Sequence, residues 1–243
     1  MQRYFIQEKK ENNIYLQPED IHHIKKVMRN KVGDSVHCID PFGKHYLCSI
    51  QDVETGCLKI DKEIEEWNEL DIEVTLIYAM PKGDKFEFVL QKATELGVHR
   101  IVPLQSRRCV VKLDKQKFEK KLERYQKIVK EAAEQSYRSI LPKIESIQTI
   151  ASLSPYLTNY ALVAYEESAK VGEHHNFKKV MQEIKTKQSL TIIVGSEGGF
   201  DEDEIEALEK MGVLRCSLGK RILRSETAPL YMLSVIGYHR EME

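Results

Sequence analysis

The chain has 243 residues, 42% of them hydrophobic and 31% charged, the make-up of an ordinary globular protein that needs no disulfide or structural metal to hold its core. Its formal net charge of −1 excludes a globally basic nucleic-acid binder, so any RNA surface has to be local. No window approaches the roughly 20 apolar residues of a membrane span, Met1 to Glu8 lack the apolar run of a signal peptide, and Cys38, Cys48, Cys57, Cys109 and Cys216 show no C-x-x-C spacing, which suits a reducing cytoplasm.

Residues 1–70 read as β-rich. Val36 to Ile39 leads into the Asp40-Pro41-Phe42-Gly43 turn, Lys44 to Ile50 alternates in part, and Thr55-Gly56 precedes a further strand over Cys57 to Ile60. One helix interrupts them, opened by Pro18-Glu19-Asp20, with Ile21, Ile24, Val27 and Met28 as its predicted apolar stripe. Short strands with one helix suggest a small barrel, and the acidic, unpatterned Glu63 to Asp71 places a boundary near residue 70.

Residues 71–243 alternate strands with helices, the pattern of an α/β domain with a mostly parallel sheet. Strands are predicted over Val74 to Ala79, Ile101 to Leu104, Tyr160 to Tyr165, Leu190 to Val194 and Val213 to Leu218. Asp84 is placed to cap a helix that ends at Gly97, and a lysine-rich helix follows from Lys115 to Arg138. Arg100, Arg107, Arg108 and Lys112, then Lys115 to Lys130 with Arg124, are candidate basic patches, although such a helix is first of all a solvated face.

Two segments carry chemistry. In the first, the strand ending at Val194 runs into Gly195-Ser196-Glu197-Gly198-Gly199-Phe200, then a helix with Asp201 as N-cap, Glu204 completing a capping box and Phe200 and Ile205 as a staple. It has neither the lysine of a phosphate loop nor the spacing of a dinucleotide fingerprint, and its acids oppose a polyanion. A bare strand-to-helix turn and a loop for a cationic or adenosine-like ligand both remain open. The second, Ser217 to Pro229, mixes Leu218, Ile222 and Leu223 with Lys220, Arg221 and Arg224, and Thr227 is predicted to cap the helix that follows. That mixture suits an apolar pocket beside arginines aimed at an anion.

Together these segments resemble the paired C-terminal motifs of the RsmE-type 16S rRNA uridine-N3 methyltransferases of the SPOUT superfamily. The resemblance continues upstream through Lys82-Gly83-Asp84-Lys85, Gln91 to Val98, Pro103, Arg108-Cys109, Glu131 to Ser136, Arg138 and Pro142, and into the first seventy residues through His23, Val27, Met28, Arg29 and Gly33-Asp34. It is weakest over Glu145 to Asn159 and Ala169 to Gln188, and Ser196 stands where the family usually has proline.

The resemblance implies an N-terminal PUA-like β-barrel (1–70), a C-terminal SPOUT domain with a trefoil knot (71–243), a homodimer, and no metal. It implies methyl transfer from S-adenosylmethionine to N3 of a uridine in 16S rRNA, within the small ribosomal subunit, in the cytoplasm and without a membrane. Donor-binding residues carried over are Tyr165, Glu166, Val194, Gly195, Glu197, Gly198, Gly199, Leu218, Gly219, Arg221, Ile222, Leu223, Thr227 and Ala228, and RNA-binding residues are Arg3, His23 and Arg29. N3 normally carries a proton, so a guanidinium that stabilises the uracil anion is needed, and Arg224 is the expected catalytic residue. Glu197 and Glu226 are candidate bases without an assignment between them, and N3 lies on the Watson–Crick edge, so the base has to be unpaired or flipped. Neither His22-His23 nor His174-His175 has zinc-binding spacing. Two alternatives stay open: a SPOUT enzyme acting on tRNA or a ribose hydroxyl, and a non-catalytic RNA-binding assembly factor.

Overall fold

The computed structural model describes residues 1–170 and 175–243, without the side chains of Ala169 and Lys170, and His174 lies outside the described residues. Contacts group the chain into two units, Met1–Glu69 with Lys130–Leu141, and Leu70–Val129 with Pro142–Glu243.

In the first unit, β1 (Arg3–Phe5), β2 (Lys9–Lys10), β3 (Asn13–Tyr15), β4 (Ser35–Ile39), β5 (His45–Asp52) and β6 (Cys57–Ile64) form a curled half-barrel in the order β1-β4-β5-β6-β3-β2. Alternate side chains of the β4–β5 ladder, Val36, Cys38, Cys48 and Ile50, point inward to Tyr4, Ile14 and Leu58. β6 runs on to Ile64, into the stretch that sequence left unpatterned.

The helix before β4 departs from its expected pattern. α1 (Pro18–His22) passes into a π-helical segment, His23–Met28, that ends on Arg29 in the left-handed region (φ 56°). The wider turn rotates the predicted stripe off the core: Ile24 is buried, but Val27 and Met28 are 61% and 43% exposed.

Lys130–Leu141 is fastened to the first unit by Glu69, whose side chain is fully buried. Its Oε1 accepts the backbone N–H groups of Ser139 (2.7 Å) and Ile140 (3.0 Å), and Arg138 Nε donates to both carboxylate oxygens at 2.9 Å.

In the second unit, β7 (Glu73–Ala79), α2 (Lys85–Glu95), β8 (Arg100–Leu104), α3 (Lys115–Gln135, which from Lys130 belongs to the first unit), β9 (Lys143–Ile144), β10 (Tyr160–Ala164), α4 (Glu166–Lys170), α5 (Asn176–Glu183), β11 (Ser189–Val194), α6 (Glu202–Lys210), β12 (Leu214–Cys216) and α7 (Thr227–Glu241) follow in chain order. The strands pair in parallel in the order β12-β10-β11-β7-β8-β9. β7 and β11 are central and buried along nearly their whole length, which is why they read as unbroken apolar runs.

Two predicted caps are corrected. Asp84 sits at the N-cap of α2 without a side-chain bond, its backbone close to helical (φ −90°, ψ 7°), so its carboxylate is not presented to the first-turn amides. α7 begins at Thr227 itself, with Glu226 as N-cap, because the Arg224 carbonyl already accepts the N–H groups of Thr227 (2.9 Å) and Ala228 (3.0 Å). Among the described residues, no helix is long and apolar enough to cross a membrane.

Candidate active site

The carboxyl ends of β10, β11 and β12 surround one cavity of about 870 Å³. This is where open parallel sheets offer ligand space, since the following loops diverge from the strand ends.

Its first wall is the turn after β11. The Gly199 N–H donates to the Ser196 carbonyl at 2.9 Å, and Gly199 takes φ +65°, a conformation that suits glycine. A Cβ on Gly198 would stand 2.9 Å from the Arg108 Cβ and 3.0 Å from its carbonyl oxygen, so only glycine lets the turn lie against that neighbour. Asp201 and Glu204 close the expected capping box over α6, and Phe200 and Ile205 are buried in the core. Arg108 adds a bond from Nη1 to the Gly198 carbonyl (3.2 Å) and pairs with Asp201.

The second wall is the loop from Ser217 to Glu226. Arg221 and Arg224 are exposed cations with no ion pair among the described residues. Leu218 and Leu223 are half-buried, whereas Ile222 is 78% exposed at the rim.

A single ammonium joins the walls. Lys85 Nζ, from the first turn of α2, lies 2.9 Å from Glu197 and 3.1 Å from Glu226, and Glu197 also accepts the Lys82 N–H at 3.2 Å. Burial opposes ionisation of both carboxyls, but Lys85 and backbone N–H groups outweigh it and hold both below the usual carboxylate range. The signal for Lys85 was present in Lys82-Gly83-Asp84-Lys85, but nothing in the sequence showed that it reaches both loops.

Every donor-binding position expected from the sequence lines this cavity except Thr227, and so does Arg224. Thr227 is exposed and displaced from the lining because the helix starts one residue earlier than expected. Tyr165 is held at the rim by its bond to Glu202 (2.7 Å), which, with burial, pushes its phenol up to about 12.

The three expected RNA contacts belong to the first unit and differ in availability. Arg3 is paired with Glu66 at 2.7 Å and lies 4.1 Å from the Tyr137 ring centroid. His23 Nδ1 is 2.9 Å from the Tyr4 hydroxyl, while Arg29 is exposed. The first unit also brings His37, His45 and Glu66 within mutual ligand distance, a grouping their spacing did not show. The two rings hydrogen-bond each other at 2.9 Å and Arg3 holds the carboxylate. Burial, then Arg3 and His45, lowers His37 to about 4.

A parallel α/β sheet with a glycine turn and a cationic loop around such a cavity defines the class of α/β proteins that hold a small ligand at their strand ends. Comparison with known proteins is more particular. A family model described as an RNA methyltransferase domain matches residues 68–237, and one described as an RNA methyltransferase PUA domain matches residues 16–61. The ribosomal RNA small subunit methyltransferase E of Bacillus subtilis (strain 168) is 42% identical, over 100% of this chain and 98% of its own. That of Mesomycoplasma hyopneumoniae (strain 232) is 35% identical over 96% and 98%. A crystal structure of the Neisseria gonorrhoeae ribosomal RNA small subunit methyltransferase E bound to S-adenosyl methionine superposes with a TM-score of 0.84 at 29% identity, covering 97% of this chain and 96% of that one. The chain belongs to the RNA methyltransferase family that contains these small-subunit enzymes.

Proposed function

We propose that this protein transfers a methyl group from S-adenosylmethionine to N3 of a uridine in 16S rRNA of the small ribosomal subunit. The observation that carries the reading is the convergence of the glycine turn and the arginine-bearing loop on one cavity of about 870 Å³. The residues fit such a donor: backbone from Gly195 to Gly199 and from Leu218 to Leu223 lines the cavity, and two carboxylates share one ammonium beside it, a net negative charge suited to a sulfonium. When bound, the donor supplies an electrophilic methyl on that sulfonium.

The protein's part is to bind, orient and stabilise. Arg224, charged and unpaired at the cavity, offers its guanidinium to the uracil carbonyl on which negative charge gathers as the N3 proton passes to solvent water, and the resulting N3 lone pair takes the methyl group as its bond to the donor sulfur breaks. Glu197 and Glu226 are weak proton acceptors because Lys85 holds both, so their role in this reading is to shape the donor pocket. The reading includes a homodimer, supported by Ile222, Tyr231 and Tyr238, which leave 78%, 40% and 56% of their surfaces exposed along the second loop and α7. It also includes the trefoil knot implied by resemblance, the division near residue 70, and a cytoplasmic location.

The test is methylation of small subunits, free 16S rRNA and tRNA with labelled donor, followed by mapping of the modified nucleotide. Arg224→Ala is expected to retain donor binding by calorimetry and to lose at least ~100-fold in methylation rate, as for removal of one charge-stabilising donor. Full activity in Arg224→Ala sinks the catalytic assignment, a labelled tRNA or ribose hydroxyl redirects the substrate, and absence of donor binding by the intact protein defeats the enzyme reading.

A further inference from the structure

The face of the β4–β5 hairpin that points away from the barrel core carries a pair of imidazoles. The register sets Leu47 opposite His37 and Ile39 opposite His45, so both rings stand diagonally on one face. On its other side His45 pairs with Ile64, two residues before Glu66. The Lys130–Leu141 segment of the same unit lies over this face through Ala133 and Ser139. The side chains of His37 and His45 are therefore 7% and 0% exposed, while that of Glu66 keeps 25%.

Three ligand atoms converge there. His37 Nε2 and His45 Nδ1 are 2.9 Å apart, and Glu66 Oε2 lies 3.9 Å and 4.0 Å from them. The circle through three points so spaced has a radius of about 2.1 Å. Zinc holds imidazole nitrogen at roughly 2.0–2.1 Å and carboxylate oxygen at roughly 2.0–2.2 Å, so one ion at the centre reaches all three.

The surrounding bonds suit ligation. Both N–H donors to Glu66, Arg3 Nη2 (2.7 Å) and Asn68 Nδ2 (2.6 Å), go to Oε1, and Oε2 takes none among the described residues. His45 Nε2 lies 2.9 Å from Ser139 Oγ, and with its proton donated there Nδ1 keeps a lone pair. Ser139 is itself fixed, its Oγ accepting the Asn68 N–H at 2.9 Å. Burial lowers both imidazoles below their ordinary value, which keeps the rings neutral, the form that binds metal.

We infer that His37, His45 and Glu66 form a site for a divalent transition-metal ion of the zinc class, with water as fourth ligand and Ser139 positioning His45. The site belongs to the first unit and the donor cavity to the second, and it departs from the metal-free protein that resemblance implies. On binding, the ion takes the place of the proton shared between His37 Nε2 and His45 Nδ1, and that proton moves to His37 Nδ1. Arg3 offsets the charge of the carboxylate, so the affinity is expected to be micromolar, well short of a closed structural zinc site.

The experiment titrates the full chain, stripped of metal by chelation, with Zn²⁺ and with Co²⁺. Binding is followed by calorimetry and by the fluorescence of Trp67, which directly follows Glu66 and is the chain's one tryptophan. One equivalent of Zn²⁺ is expected to bind with a Kd of about 1–10 µM, and Zn²⁺ at 100 times that Kd to raise the Tm by about 5–10 °C. Co²⁺ is expected to quench Trp67, and Zn²⁺ to reverse the quenching. His37→Gln and Glu66→Gln should each weaken binding at least ~100-fold, and Ser139→Ala about 10-fold. Metal-free thermal unfolding and donor binding report whether each variant is folded; if His37→Gln is not, Glu66→Gln, at the partly exposed side chain, decides. Absence of saturable Zn²⁺ binding overturns the inference, as does one-equivalent binding that persists in Glu66→Gln, which assigns the metal to surface histidines such as His22.

Discussion

Removing Arg138 tests whether Glu69 organises the first unit. The Glu69 side chain is 0% exposed and that of Arg138 3%, so Arg138→Met leaves a carboxylate buried against two backbone N–H groups without its counter-ion. Breaking a buried pair by deleting one partner costs about 3–5 kcal/mol, because the remaining charge cannot regain water. Urea unfolding followed by Trp67, the chain's one tryptophan and part of the first unit, is the assay. With a urea slope of about 2 kcal/mol/M, the midpoint is expected to fall by about 1.5–2.5 M. Glu69→Gln/Arg138→Met is expected to be less destabilised than Arg138→Met alone, since no bare charge is left while an acceptor oxygen remains for Ser139 and Ile140. A loss below about 1 kcal/mol in Arg138→Met, or strict additivity of the two changes, would refute the reasoning.

Three further outcomes are expected. Burial, helped by the nearby acid Asp20, pushes the Glu134 carboxyl from its ordinary 4.5 to about 7, against the pull of Lys130. Between those values the folded state binds more protons than the unfolded one, so stability falls as pH rises, by about 3 kcal/mol in all. Glu134→Gln should therefore match the unmutated protein near pH 4.5 and exceed it near pH 8 in calorimetry, and parallel stability profiles would contradict this. His37, lowered to about 4, acts with the opposite sign, its stabilisation declining as pH falls below about 6.5, equally in both proteins. Gly198→Ala, whose Cβ meets Arg108 at 2.9 Å, should weaken S-adenosylmethionine binding at least ~10-fold in titration calorimetry; an unchanged Kd would show that the turn yields at no cost. Lys85→Met frees Glu197 and Glu226 from their shared cation, so both carboxyls should take up protons at a higher pH than in the unmutated protein, and donor affinity should fall off on acidification correspondingly earlier. A profile matching that of the unmutated protein would show that the ammonium does not govern their charge.

Much of the second unit was legible because its signals are local. Unbroken apolar runs marked β7 and β11, and the Asp201–Glu204 box with its glycine turn marked both the start of α6 and one wall of the cavity. What escaped depends on pairs distant in sequence or on a helix leaving its usual period. Glu69 sits in the acidic, unpatterned stretch read as a domain boundary, yet it is the buried anchor of Ser139 and Ile140, which no periodicity reveals. The stripe through Val27 and Met28 assumed 3.6 residues per turn, and the π-helical turn put both in solvent. The bonds of Arg3 to Glu66 and of Tyr4 to His23 likewise join residues distant in sequence, and no local pattern shows them.

The bridge through Lys85 also bears on how the protein comes to be folded. Lys82 and Glu197 lie 115 residues apart in the chain, and Glu226 further still, yet all three bear on one patch of the cavity. Contacts of such long loop length are closed only after the entropy of the intervening chain has been lost, so the binding cleft is a late product of folding. On the ribosome, the segment carrying Lys85 emerges well before either acid. The donor therefore finds no cleft on a growing chain, and can stabilise only a molecule whose synthesis has passed Glu226.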